Sequence, residues 1–438
     1  MKQLSSIKIL LWAITISSLP AQTFESPTIT FQSPTIERAI PVYEDLPELK
    51  ASEILRPEFL KGTYFSVREE VPTFSGANHF TIDSEFGVFE AEGNEMLVRR
   101  IGEINAIARL KEVSRTDEFK GALVKAAKSP AAAAKQIVTD PVNAITNAPK
   151  GVMKFMGRIG ESVKGIGEKH QDNDPEGSQL QQIIGFSDTK RKVAMSLGVD
   201  PYTSNTVLQH ELDGISWASF AGGATFSLAT MPIGGGAAAA LTVTEVSGDF
   251  DQMLKEKSPT DLKMINRKSL VALGASEKDA ERFLNNSAFS PSAQTEFVLN
   301  LKSMSGVANR GAFVRLAGET SSSEPDAIFC VQTAALMSKI HKSEQPLARI
   351  VTLGDFPVCV AKDGTTIVAL QWDYAAWTAG AGRFREQLRK FAEKPPANKK
   401  VFVAISGQTS PRLRQELEKL GDGVKDRLSP GPLKQSGE

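Results

Sequence analysis

Histidine, cysteine and charge of either net sign are what this 438-residue sequence has least of. Its four histidines, at 79, 170, 210 and 341, are too scattered to form a ligand cluster. His210 and Glu211 begin like a zinc-binding helix, but the second histidine should follow four residues after the first, and Gly214 stands there. His79 and Asp83 fall on one face of an expected strand and read as exposed polar decoration. No metal-ligating residue is therefore assigned. The formal charge balances, with 51 basic against 51 acidic residues, which leaves no field strong enough to recruit nucleic acid or an anionic membrane.

Two cysteines remain, Cys330 and Cys359. In an oxidising compartment they are a candidate disulfide closing a loop of about 30 residues, worth roughly 3 kcal/mol by chain entropy. The alternative is two packed thiols. Cys330 and His341 lie about 16 Å apart along one helix at 1.5 Å per residue, too far for a thiol–imidazole dyad. The nucleophile elbow G-x-S-x-G is missing, as are G-K-[ST] and G-x-G-x-x-G. The turn "SGQTS", Ser406 to Ser410, follows a strand where α/β sheets often bind ligands, but Ser410 reads more simply as a helix cap. No catalytic or cofactor-binding residue is assigned, and no cofactor is expected.

What is present begins with an export signal. "MKQLSSIK" supplies Lys2 and Lys8, "ILLWAITISSL" is an apolar stretch of 11 residues, and Ala21 offers a small residue for cleavage. The apolar stretch is too short to span a bilayer. Residues 1–21 are read as signal peptide and 22–55 as an extended Pro/Ser/Thr arm, marked by the near-repeat "FESPTIT"/"FQSPTIE". Residues 56–113 read as a β patch followed by a helix, on which Leu97, Ile101, Ile104 and Ala108 recur at helical spacing.

Residues 114–345 read as a helical domain. Ser or Asp before Pro recurs at 129–130, 140–141, 200–201, 258–259 and 290–291, each expected to cap a helix. Gly167 to Gln179 reads as a charged loop. "GVMKFMGRIGESVKGIG", from Gly151, carries Val152, Phe155, Ile159, Val163 and Ile166 on one face, suited to docking on protein or to lying on a membrane. Residues 346–428 read as a C-terminal unit containing one βαβ crossover, with a hairpin at Lys362 to Gly364. Its amphipathic helix is expected from Tyr374 through Trp377, Ala381, Phe384, Leu388 and Phe391. Residues 429–438 read as a disordered tail. The fold class is α+β, mostly helical.

One uncharged run, Gly214 to Thr244, covers 31 residues. Its seven strong apolar residues favour membrane insertion by only about 2–4 kcal/mol. Pro232, with the glycines after it, cuts the run into pieces too short to span. Phe220, Phe226 and Leu228 are therefore expected to be buried against helices of the same chain. A membrane hairpin through Pro232 is the alternative.

The blocks "ASEILRPEFLKG", "HFTIDSEFGVFEAEG", "LGVDPYTSNTVLQ", "SPTDLKMINRKSLVALGAS" and "NNSAFSPSAQTEFVLNL" resemble those of an uncharacterised family of exported bacterial proteins with no assigned activity. The likeness runs from about residue 51 to the 340s and is weaker beyond. It implies a bacterial source and export, and no site residue follows from it. The functional expectation is an exported, periplasmic or extracellular protein with a binding or structural role and no catalysis. A membrane-active protein using 214–244 is the second reading, and an enzyme of unrecognised type in the C-terminal unit the third. No partner is implied; nucleic acid is not expected, and membrane association is not favoured.

Overall fold

The computed structural model describes residues 43–128, 175–226, 247–393, 400–429 and 431–434. From Tyr43 onward they belong to one compact unit, α+β and mostly helical. The first layer is an antiparallel sheet of β1 (Glu48–Lys50), β2 (Phe65–Val67), β3 (Glu70–Phe74), β4 (Ala77–Ser84) and β5 (Gly87–Glu92). Along β4, Asn78, Phe80 and Ile82 are buried while their neighbours are not, the two-residue period of a sheet with one face on a core. Two short helices, α1 (Ala51–Ile54) and α2 (Pro57–Leu60), lie between β1 and β2. A long helix, α3 (Asn94–Ser114), packs its expected face onto this sheet: Leu97, Ile101 and Ile104 are fully buried and Ala108 nearly so. The same core takes in Leu208, Leu212 and Ile215.

The middle of the chain supplies α4 (Asp117–Ala127), α5 (Pro175–Ser196), α6 (Thr206–Gly222), α7 (Ser247–Glu256), α8 (Pro259–Ala272), α9 (Glu277–Leu284), α10 (Pro291–Ser303), α11 (Gly311–Thr320) and α12 (Glu324–Lys339). The expected caps form at Ser258 and Ser290, whose hydroxyls accept from Asp261 N and Ala293 N. Asp200 does not cap a helix. It accepts from Tyr202 N in a local turn, and α6 starts instead from Asn205, which accepts from Val207 N and Leu208 N. Four phenylalanines tie α9, α10 and α11 together: Phe283 lies 4.7 Å from Phe289 and 5.0 Å from Phe297, and Phe297 lies 5.0 Å from Phe313.

The C-terminal sheet has the order β12-β10-β8-β7-β6. Strands β6 (Leu347–Leu353), β7 (Phe356–Ala361) and β8 (Thr366–Leu370) are antiparallel; β8, β10 (Val401–Ile405) and β12 (Gly423–Lys425) are parallel. The short pair β9 (Tyr374–Ala375) and β11 (Gln408–Thr409) lies beyond the ends of β8 and β10. Every residue of β8 is buried. Ile367 and Ala369 face one core, which includes side chains of α12, and Val368 and Leu370 face another. That second core contains Leu388 of α13 (Ala379–Ala392) and Leu413 and Leu417 of α14 (Pro411–Lys419). The expected crossover β8-α13-β10 is present, and a second one, β10-α14-β12, follows it.

Several boundaries differ from expectation. The arm of 22–55 ends in structure: β1 pairs with β3, and Ala51 and Leu55 are fully buried. The tail of 429–438 is not wholly loose, because Leu433 is 1 % exposed and bridges Leu55. Tyr374 does not begin a helix; it pairs with Gln408, and α13 starts at Ala379, after the Thr378 cap. Helix α5 begins at Pro175, inside the expected loop. The early strands and the C-terminal strands form separate sheets. The segment from Gly151 to Gly167 lies outside the described residues, as do the signal peptide and the caps at 129–130 and 140–141.

Candidate functional site

The Cys330–Cys359 bridge is not formed: both thiols are free and buried. Each is already packed. Cys359 sits in β7 between Ile350 and Ile367, and Cys330 Sγ lies 3.6 Å from Ser321 Oγ. Burial pushes both thiols up to about 12, so they are neutral at physiological pH and poor nucleophiles. His341 is not their partner, since its Nδ1 accepts from Leu347 N at 3.0 Å. Glu211 is paired with Lys111 at 2.8 Å.

In the uncharged run, Ile215, Trp217 and Ala218 are buried inside the protein. Phe220 and Phe226 are half-buried rather than buried. Phe220 packs on Phe186 and Trp217, and Phe226 on Phe119 at 5.9 Å. Leu228 and Pro232 lie outside the described residues. Among the described residues no helix is long and apolar enough to cross a membrane.

A cavity of about 510 Å³ opens elsewhere, where the tip of the β3–β4 hairpin, the start of α3, helices α11 and α12, and the segment after β8 meet. Its position, beyond the carboxyl end of a strand in a partly parallel sheet, is where α/β sheets usually take ligands. The hairpin tip is the two-residue turn Ser75-Gly76, with φ of 52° and 87°, the primed geometry that suits a right-twisted hairpin. The Gly76 carbonyl accepts from Asp373 N at 2.7 Å. A Cβ on Gly76 would lie 2.4 Å from Cδ1 of Trp372, so only glycine admits that ring. On the other side Gly407 is equally confined: its Cβ would lie 2.1 Å from the Asp373 carbonyl. Ser406 Oγ donates to the Trp372 carbonyl at 2.8 Å. The turn 406–410 therefore shapes the cavity wall without lining it, and Ser410 caps α14 as expected, accepting from Leu413 N.

Asp373 is the centre of the arrangement. It is 5 % exposed, and its Oδ2 accepts from Asn78 N at 3.0 Å and Asn94 N at 2.9 Å. Asn94 opens α3 after Gly93, whose φ of 98° excludes an ordinary cap. Asp373 thus serves as the helix cap from almost 300 residues away. Burial pushes its carboxyl up to about 7, against the two amide donors, and Glu95 adds to the rise. Among the described residues no donor reaches its Oδ1.

The facing wall is aromatic. Phe356 lies 4.9 Å from Phe384, 5.9 Å from Trp372 and 6.5 Å from Phe329, the last two pairs edge-to-face. Five carboxylates line the cavity, and no lysine, arginine or histidine is among its described lining residues. Leu46 closes one side. It is held there through Glu44, whose Oε2 accepts from Trp377 N and Ser410 Oγ, each at 2.6 Å.

Behind the cavity runs a buried ion network. Arg99 pairs with Glu95 at 3.2 Å and with Glu296 at 3.4 Å. Burial pushes Glu296 up to about 7 despite Arg99. The void beside this network holds only about 20 Å³, room for little more than a water.

Of the residues singled out from sequence, the cavity gathers Cys330, Tyr374, Ala381 and Phe384. Asp373, Trp372, Phe356, Gly76 and Glu44 were missed. The two-residue Ser75-Gly76 turn between β runs was a legible hairpin signal; the remote capping by Asp373 had none. No family model, curated protein or solved structure matches this chain.

Proposed function

We propose that this is an exported, non-catalytic binding protein of a bacterial envelope or secretome, and that its ligand sits in the cavity between the β3–β4 hairpin and the C-terminal sheet. The cavity carries the reading. At about 510 Å³ with an aromatic wall and a few buried polar groups, Asp373 among them, it has the size and make-up of a small-molecule site. Export rests on the N-terminal signal pattern and on the resemblance described above. An enzyme is the second reading, and Asp373 favours it, since a carboxyl titrating near neutrality suits proton transfer. Binding is preferred for two reasons. Asp373 is held as a cap by both amides, and the neighbouring Cys330 is a protonated thiol.

The test is a filled cavity. Ala381 lines the space and is half-buried, so Ala381→Phe occupies it with little change to the core. The wild-type protein should bind members of a small aromatic fragment set, read by tryptophan fluorescence and ligand-observed NMR. The variant should keep its melting temperature and lose that binding. Equal binding by both proteins, or none by the wild type, refutes the reading.

A further inference from the structure

We infer that the cavity selects an organic cation: an apolar body carrying an ammonium or quaternary ammonium head. This rests on the reading of the cavity as a ligand site and adds the charge of what it holds. Three observations lead to it.

The first is the one-sided charge of the lining, which has five carboxylates and, among the described residues, no basic group. Not all five are available. Glu95 is paired with Arg99 at 3.2 Å, Glu92 lies 3.9 Å from His79, and Asp326 caps α12 through Ser323. Asp373 at the bottom and exposed Asp355 at the rim have no cationic partner among the described residues. An anionic ligand would meet uncompensated negative charge at both depths; a cation would meet two open acceptors.

The second is the helix terminus. The start of α3 opens on the cavity through Gly93 and Asn94, and a helix N-terminus ordinarily attracts anions. Here that seat is filled, because Asp373 Oδ2 already takes the Asn94 amide. What the site turns outward is the remaining oxygen of an anion, so the helix end presents an acceptor where it would otherwise present a donor.

The third is the aromatic wall. Phe356 stands at 87° to Trp372 and at 80° to Phe329, and all three rings line the cavity. Such corners hold cations through the negative faces of the rings, and the attraction grows once water is excluded. A primary amine would add a hydrogen bond to Asp373 Oδ1. A quaternary ammonium would use the rings and the charge alone.

The test is isothermal titration of the full-length protein with four probes that share a phenyl body: phenethylammonium, phenyltrimethylammonium, 2-phenylethanol and 3-phenylpropionate. At pH 8 at least one cation should bind ten or more times tighter than the alcohol and the carboxylate. Which cation wins distinguishes the amine from the quaternary head. Asp373→Asn should erase most of that preference, bringing the cations to within a few-fold of 2-phenylethanol. Should that variant not fold, the wild-type pH series replaces it. Asp373 faces the Asn78 and Asn94 amides and the carboxylate of Glu95, itself paired with Arg99. Lowering the pH from 8 to 5.5 should therefore protonate Asp373, weaken the cations several-fold and spare the alcohol. If the alcohol or the carboxylate binds as well as the cations, the charge inference is overturned and the cavity reading stands. If none of the four binds, both fall.

Discussion

Replacing Asp373 with asparagine separates what its charge costs from what its shape supplies. The carboxyl is raised from 3.8 to about 7, with burial as the largest cause. Between those values the folded protein holds a proton that the unfolded chain releases. Stability linked to this group is therefore fully present below about pH 4 and is lost as the pH rises through 7. A rise of about 3 units corresponds to roughly 4 kcal/mol, at about 1.4 kcal/mol per unit. Asparagine keeps an oxygen able to accept from Asn78 N and Asn94 N, and it has nothing to ionise. In urea melts at half-unit steps from pH 4.5 to 8.5, the wild type should lose stability relative to Asp373→Asn by about 3 kcal/mol, most of it between pH 5 and 7.5. Glu296 is also raised to about 7, by burial against the pull of Arg99. It is present in both proteins and cancels in the difference. Parallel curves for the two proteins would refute the account, because they would mean that Asp373 ionises at the same pH folded and unfolded.

Other perturbations test the packing. Helices α4 and α6 touch at Gly222, where a Cβ would lie 2.3 Å from the Ala122 carbonyl; Gly222→Ala should lower stability by about 1–3 kcal/mol in thermal unfolding. Gly223 has open space around it and a φ of 66°, so Gly223→Ala should cost only the left-handed backbone penalty of about 1 kcal/mol; the reverse order would refute the helix contact. Cys330 and Cys359 should react with a maleimide in denaturant and not in buffer, and electrophoretic mobility should be the same with and without reductant. Ser410→Ala loses a cap and the Glu44 contact together, whereas Ser276→Ala loses a surface cap; the first should cost about 1 kcal/mol more than the second in the same melt.

The parts legible from sequence are those fixed by neighbours in the chain. The caps at Ser258, Ser290 and Ser410, the Lys362–Gly364 hairpin, the buried stripe on α3 and the β8-α13-β10 crossover each depend on residues within one or two elements. Misreadings came where a local pattern met a distant partner. Tyr374 has the helical spacing of Trp377 and Ala381, but its amide is claimed by the Gly76 carbonyl and it pairs with Gln408. Asp200-Pro201 has the form of a cap, but Asp200 is drawn to Ser292 and Tyr202 instead. Within the uncharged run the close helix approach falls at Gly222, against the Ala122 carbonyl, a position set by the facing helix α4. The cavity was the least legible feature because no single stretch contains it. Its lining spans residues from Leu46 to Phe384, and only the fold brings a hairpin tip, a helix start and a strand end to one place.

That convergence explains why a carboxylate is buried at all. The start of α3 follows Gly93, which has no side chain to satisfy the first amides of the helix, and unsatisfied buried amides cost about 1–3 kcal/mol each. A neutral acceptor at 373 would satisfy them equally well without the desolvation that raises the carboxyl to about 7. Capping alone therefore does not account for aspartate at this position. A positive group at its second oxygen would give the charge a further use. A cation in the cavity would bring the carboxyl back toward its ordinary range and recover part of the roughly 4 kcal/mol that ionisation costs the empty protein. The same residue then predicts two opposite slopes: stability of the ligand-free protein falling as the pH rises through 7, and affinity for an organic cation rising over the same interval. Calorimetric melts with and without phenethylammonium at pH 6 and pH 8 measure both. A stabilisation by the probe that is no larger at pH 8 than at pH 6 would leave the buried charge without this explanation.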